Sequence, residues 1–104
     1  MIINAALLQA LRQPPTDSYP CIMWFWNGKI TEAEIRRQIK EYRDANIFEF
    51  FIHPMYGFEH RYLSQDFFRL IGIAISCAKE NGMKFWIYDE YNWPSGTAGN
   101  KMMR

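Results

Sequence analysis

The chain has no apolar run that approaches the roughly 18 to 20 residues of a membrane-spanning helix, so we do not expect it to cross a bilayer. It also lacks a block of basic residues, because twelve Lys and Arg offset eleven Asp and Glu to leave a formal net charge of +1. The chain therefore has no cluster of basic side chains that could bind along a phosphate backbone, and nucleic acid is not an expected partner.

Cysteine is scarce as well. Cys21 and Cys77 lie far apart, without the close spacing of metal sites or redox motifs, and two buried thiols are expected. Residues 96–101 lack the Gly-Lys-Ser/Thr ending of a phosphate-binding loop, and Ser95 lacks the Gly-x-Ser-x-Gly context of a hydrolase nucleophile. The residues by themselves therefore predict no cofactor and no metal.

What is present is typical of a small globular unit: 104 residues, 49% hydrophobic and 17% aromatic. Residues 1–11 lack the basic start of an export signal, and the spacing of their leucines predicts a short amphipathic helix. We therefore expect no signal peptide, which favours the cytoplasm. Pro14, Pro15 and Pro20 predict an extended segment, so residues 1–20 form a lead-in and residues 21–104 the folded part.

Three apolar segments, at residues 21–26, 47–52 and 84–88, predict buried strands. Thr31 begins a capping box for one intervening helix, and Ser64 can cap the other. The expected buried positions of the two helices are Ile35, Ile39 and Tyr42, and Phe67, Ile71, Ala74, Ile75 and Ala78. Asn46 and Asn81-Gly82 should end them. This alternation predicts an α/β fold of three parallel strands joined by two crossover helices.

Polar and aromatic residues follow the end of each predicted strand. They are Trp26, Asn27, His53, Asp89, Glu90 and Trp93. Because ligands bind at the carboxyl ends of parallel strands, we expect these residues to meet at one edge of the sheet. Strand alternation places Glu49, Phe51 and His53 on one face, and the apolar residues between them should pack on the helices.

Asp89 and Glu90 suggest acid-base chemistry, but glycoside hydrolysis needs two carboxyl groups flanking one bond, about 5 to 5.5 Å or 6.5 to 9.5 Å apart. Neighbours in a strand point to opposite faces, so only one of the two can face a pocket directly. We expect at least one catalytic carboxylate to lie elsewhere. Asp89 and Glu90 stay candidates, and the catalytic residues are otherwise unassigned. In the alternative interpretation both carboxylates are structural, and His53 is a hydrogen-bonded loop residue.

The four tryptophans divide by position. Trp24 and Trp86 lie within strands and are expected in the core, whereas Trp26 and Trp93 lie at strand ends. An aromatic face stacks on the C–H face of a sugar ring, so Trp26 and Trp93 are the candidates for sugar contact.

Several motifs together resemble the start of the catalytic barrel in bacterial glycoside hydrolases similar to the α-L-rhamnosidases of family 106. They are the residues 23–28, the Thr31-capped helix, residues 51–54, residues 62–64, and residues 88–90 with 93–99. The resemblance extends from about Pro14 to Lys101. It implies the first part of a (β/α)8 barrel in a large multidomain enzyme. Such an enzyme would hydrolyse a terminal sugar such as α-L-rhamnose with inversion of configuration, and it could bind calcium.

By the same resemblance, Asn27, His53, Asp89 and Glu90 match pocket or substrate-binding positions. The chain departs from the family near Asn46, Phe48 and Glu49, where small residues are usual, and at Pro54-Met55, where a basic residue is common. A whole barrel takes about 200 to 250 residues, so this chain holds less than half of one and is expected to be inactive alone. Its exposed edges predict self-association.

Two other interpretations stay open. The chain could be a non-catalytic carbohydrate-binding or interaction module that uses the same aromatic edge. It could also be a self-contained three-layer α/β domain whose edges are covered by self-association.

Overall fold

The structure, a computed structural model, describes residues 4–15, 18–92 and 96. Along the chain the elements are α1 (Ala5–Arg12), β1 (Cys21–Gly28), α2 (Glu32–Asp44), β2 (Glu49–Phe58), α3 (Gln65–Glu80) and β3 (Lys84–Trp86). The strands are parallel and lie in the order β1-β2-β3. The predicted α/β unit, with three parallel strands and two helices between them, is therefore confirmed.

Both crossover helices cover the same face of the sheet. The even-numbered side chains of β1 and β2 form one core with buried residues of α2 and α3; its main members are Trp24, Trp26, Ile35, Ile39, Phe50, Ile52, Leu70 and Ala74. Side chains alternate between faces along a strand, so the odd-numbered residues lie on the opposite face. No helix among the described residues covers that second face, where Phe25 and Trp86 are about half exposed.

The helix ends form where their sequence signals predict. The Thr31 hydroxyl accepts the Glu34 N–H at 3.2 Å, and the Ser64 hydroxyl accepts the Phe67 N–H at 3.1 Å. Asn46, with φ of 62°, and Gly82, with φ of 68°, take the left-handed conformation just beyond the two helices. These local interactions satisfy backbone groups that the helices leave unpaired.

β2 continues past residue 52, the predicted end of the strand, and ends at Phe58. Trp26 of β1 pairs with Pro54, whereas β3 pairs only as far as the Phe51–Trp86 position. Pro54 therefore lies beyond the part of β2 that β3 pairs with, so its missing N–H costs no hydrogen bond to β3. β3 is correspondingly shorter than predicted, and the chain leaves the sheet after Trp86.

Three burial predictions are wrong. Trp86 is 56% exposed, and its indole N–H donates to Glu49 Oε1 at 3.1 Å on the uncovered face. Cys21 is exposed, while Cys77 is buried as expected. Ile75 is 43% exposed, because Leu70, Ala74 and Cys77 take the positions that face the core. The side chain of Ile75 turns instead toward the β3 edge.

The predicted amphipathic helix near the amino end is present as α1. Asn4 caps it by accepting the Leu7 N–H at 2.7 Å. None of its residues is buried, and Leu7, Leu8 and Leu11 stand exposed. Within the described ranges of the chain, no helix combines the length and apolarity that crossing a membrane requires.

Candidate functional site

The site lies at the carboxyl ends of the strands, where His53 sits on the face of the sheet that the helices leave uncovered. His53 pairs in register with Phe25 of β1, and the two rings lie 5.6 Å apart. The Tyr88 ring packs closer, with its centroid 4.2 Å from that of His53. His53 is consequently fully buried, although its strand faces no helix on this side.

Chemistry fixes the position of one hydrogen on the His53 ring. Its Nε2 lies 3.0 Å from the backbone carbonyl oxygen of Asn92, which can only accept a hydrogen bond. Nε2 therefore carries a hydrogen and donates it. The other ring nitrogen, Nδ1, lies 3.4 Å from the Met23 sulfur. The imidazole is thus held in one orientation by a backbone group and a thioether.

Asn92 fastens the segment after β3 to the end of β2. Its N–H donates to the Pro54 carbonyl at 3.0 Å while its own carbonyl accepts from His53. Its φ of 58° is left-handed, a conformation that asparagine tolerates better than most residues. Its side-chain Oδ1 is buried and has no hydrogen-bond partner among the described residues. A buried acceptor in this state is a group that a ligand or water can satisfy.

Glu90 is the carboxylate that belongs to this site. It is fully buried, and its Oε1 accepts the Tyr91 N–H at 3.0 Å. Burial raises the pKa of Tyr62 and of Tyr88, and the nearby charges of Glu90 and Asp89 raise both further. Glu90 therefore lies close to several tyrosines, and its negative charge raises the pKa of two of them, Tyr62 and Tyr88.

Asp89 points elsewhere. It is exposed and lies on an apolar groove between α3 and β3, lined also by Leu63, Phe68, Ile71, Ile75 and Phe85. The expectation that adjacent carboxylates diverge agrees with this arrangement. Asp89 is thus exposed whereas Glu90 is buried, so the two carboxylates lie in different environments, although both raise the pKa of the same two tyrosines.

The other predicted site residues have different positions. Asn27 is exposed at the carboxyl end of β1, on the edge that carries His53. Trp26 is fully buried in the core, so the prediction that its ring stacks on a sugar is corrected: its side chain points to the helices. Trp24 is buried as expected. Trp93 lies outside the described residues.

Sequence reasoning missed Tyr88 and Asn92, which make the closest contacts to His53. Tyr88 was assigned to an apolar strand, and Asn92 had no assigned role. The one available signal was an asparagine shortly after a strand, a residue type enriched at left-handed positions. It could have marked a turn but not a contact with a residue 39 positions earlier.

Within the described part of the chain, no group of three or more His, Cys, Asp or Glu side chains could hold a metal ion. The comparisons with known proteins found no matching family model, no similar curated protein and no similar solved structure.

Proposed function

We propose that this chain forms the first part of a glycoside hydrolase barrel and supplies one wall of its sugar-binding pocket. The observation that carries the proposal is the meeting of His53, Tyr88 and Glu90 at the carboxyl ends of parallel strands. His53 and Glu90 are both fully buried, and buried polar side chains depart from the usual apolar core in a way that is most common at functional sites.

The topology supports the barrel part of the proposal. The strands follow chain order and both helices lie on one face, which is the winding of a (β/α)8 barrel. A doubly wound sheet would place helices on both faces. The uncovered face, which carries His53, corresponds to the interior of such a barrel.

The side chains support a sugar as the ligand. Tyrosine and histidine rings offer flat apolar faces with polar edges, and Glu90 and Asn92 offer acceptors for hydroxyl groups. Trp93 follows Asn92 directly in sequence. The small net charge and the absence of a basic cluster from the sequence argue against a phosphorylated or polyanionic ligand.

The proposal is tested by titrating the full chain with L-rhamnose and recording amide and histidine side-chain NMR shifts. D-rhamnose is the control, because the two enantiomers have the same bulk properties and only a chiral binding site on the protein can distinguish them. We expect L-rhamnose to shift His53, Tyr88, Glu90 and Asn92, with a Kd of about 1 mM or weaker. Equal shifts with both enantiomers, or none up to about 50 mM, would overturn it.

A matched pair of variants localises the effect. E90Q keeps the size of the buried side chain and its acceptor for Tyr91 but removes the charge, so the stereoselective shifts should disappear. E59Q makes the same change at an exposed glutamate and should leave them intact. Loss of the shifts in E59Q, or their persistence in E90Q, contradicts the assignment.

The divergence of Asp89 and Glu90 favours one alternative, a carbohydrate-binding module that does no chemistry. The two proposals differ in what a longer polypeptide containing this chain would do. Turnover of an aryl α-L-rhamnoside by the longer polypeptide, lost in E90Q, supports the hydrolase. Stereoselective binding without turnover by that polypeptide supports the module.

A further inference from the structure

Two apolar surfaces of this chain are exposed among the described residues, one on a helix and one in a groove. One is the outward stripe of α1, formed by Leu7, Leu8 and Leu11. The other is the α3–β3 groove defined above, with a volume of about 370 Å³. An isolated helix shorter than about 12 residues is marginal in water, so the eight residues of α1 need packing to persist.

The dimensions of the two surfaces agree. Phe68, Ile71 and Ile75 follow the i, i+3, i+7 spacing, which places them along about 10 Å of α3. The leucines of α1 occupy one face over about 6 Å, so one short helix can lie along the groove. Helices dock in apolar grooves through residues at this spacing.

Charge sets the direction of docking. Arg12 is the only charged residue of α1 and lies in its last turn. Asp89 is the only charged residue among those lining the groove, at the end beside Tyr62 and Leu63, just before α3 begins. With Arg12 near Asp89, α1 runs antiparallel to α3, and the negative end of its dipole meets the positive end of α3.

We propose that α1 of one copy docks into the α3–β3 groove of a second copy, with Arg12 against Asp89. The inference does not rest on the proposed function, because it uses the apolar lining of the groove and Asp89, although Tyr88 both lines the groove and contacts His53.

The test is the sedimentation of the full chain between about 1 µM and about 1 mM, where weak association of this kind is measurable. The wild-type chain should associate as concentration rises. The double variant L8D/L11D removes the helix stripe, and I75E blocks the groove; each should weaken association by about tenfold or more, because each buries a charge. Q9E and S76E add charge at exposed neighbouring positions and should associate like wild type.

Mixing separates this contact from any other. L8D/L11D retains an intact groove and I75E retains an intact α1, so their mixture should form a heterodimer at concentrations where each variant alone stays monomeric. R12E and D89K should each be weakened, and their mixture restored. All of these residues are exposed, so circular dichroism should show unchanged folding.

Each contrary result is informative. A wild-type chain that stays monomeric throughout overturns the proposal. So does association that depends on only one of the two surfaces, or that survives in both variants, because the contact then lies elsewhere, such as on the uncovered sheet face. Failure of the L8D/L11D and I75E mixture to pair also overturns it. Sugar titration of L8D/L11D reports separately on the proposed function.

Discussion

His60 joins the loop after β2 to the segment before α2, and its replacement tests how much one buried hydrogen bond stabilises this fold. Its Nε2 accepts the Ile30 N–H at 3.0 Å, and its Nδ1 lies 2.5 Å from Asp66 Oδ2. An accepting Nε2 carries no hydrogen, so Nδ1 carries it and donates to the Asp66 carboxylate. Ile30 is itself buried.

The two contacts differ in value. Removing the acceptor leaves the Ile30 N–H buried and unpaired, which costs about 1 to 3 kcal/mol. The contact with Asp66 contributes little, because the Asp66 side chain is 47% exposed and water screens the interaction. Gln can place an oxygen near the position of Nε2, whereas Asn reaches only the position of Nδ1. We therefore expect H60N to lose about 1 to 3 kcal/mol and H60Q less than about 1 kcal/mol.

Urea denaturation followed by circular dichroism measures these differences, provided that the m-value stays constant. Hydrogen exchange of the Ile30 amide reports the same bond directly, and its protection should fall in H60N and survive in H60Q. The reasoning is refuted if H60N is as stable as wild type while H60Q is destabilised, since the Asp66 contact would then dominate.

Two further predictions concern a surface carboxylate and a left-handed residue. Hydrogen bonding by Arg37, then Gln38, lowers the pKa of Glu34 to about 2. The stabilising effect of the Glu34 carboxylate is thus complete above about pH 4.3, its pKa in the unfolded chain, and is lost as pH falls through 2. The urea midpoint of E34Q should therefore fall less than that of wild type as pH is lowered over this range. Midpoints that fall in parallel with pH for both proteins would contradict this. Because Asn92 has positive φ, N92G should keep wild-type stability within about 0.5 kcal/mol, whereas N92A should lose about 1 kcal/mol. Equal urea stabilities of N92G and N92A would exclude strain at this position.

The fold was predictable where local signals and periodicity agree. Thr31 and Ser64 cap the helices, and Ile35 and Ile39 are buried, because each depends on residues within a turn or two. Burial at the sheet was harder to predict. Trp86 is a large aromatic residue of the kind expected in a core. Its exposure depends on which face of the sheet the helices cover, and long-range packing determines that face.

The site was predictable in part for the same reason. The positions of His53 and Glu90 at strand ends predict them as site residues, whereas the different exposure of Asp89 and Glu90 arises beyond the end of β3, where strand alternation no longer applies. A position at the end of a strand does not by itself show which face a side chain takes, and Trp26 packs in the core with the helices. Contacts of His53 with Tyr88 and Asn92 depend on how the chain leaves the sheet, which no periodic pattern encodes.

Pro54 has a consequence for the path of the chain after β3. Its carbonyl accepts from Asn92, so β2 offers an acceptor at this point, but its imino nitrogen has nothing to donate. A continuing β3 would therefore lack one hydrogen bond here, and residues 87–91 lie outside the strand before Asn92 bonds to Pro54. Within this segment Tyr88 packs against the ring of His53. An imino acid in the central strand thus acts as a spacer that keeps this edge of the sheet open.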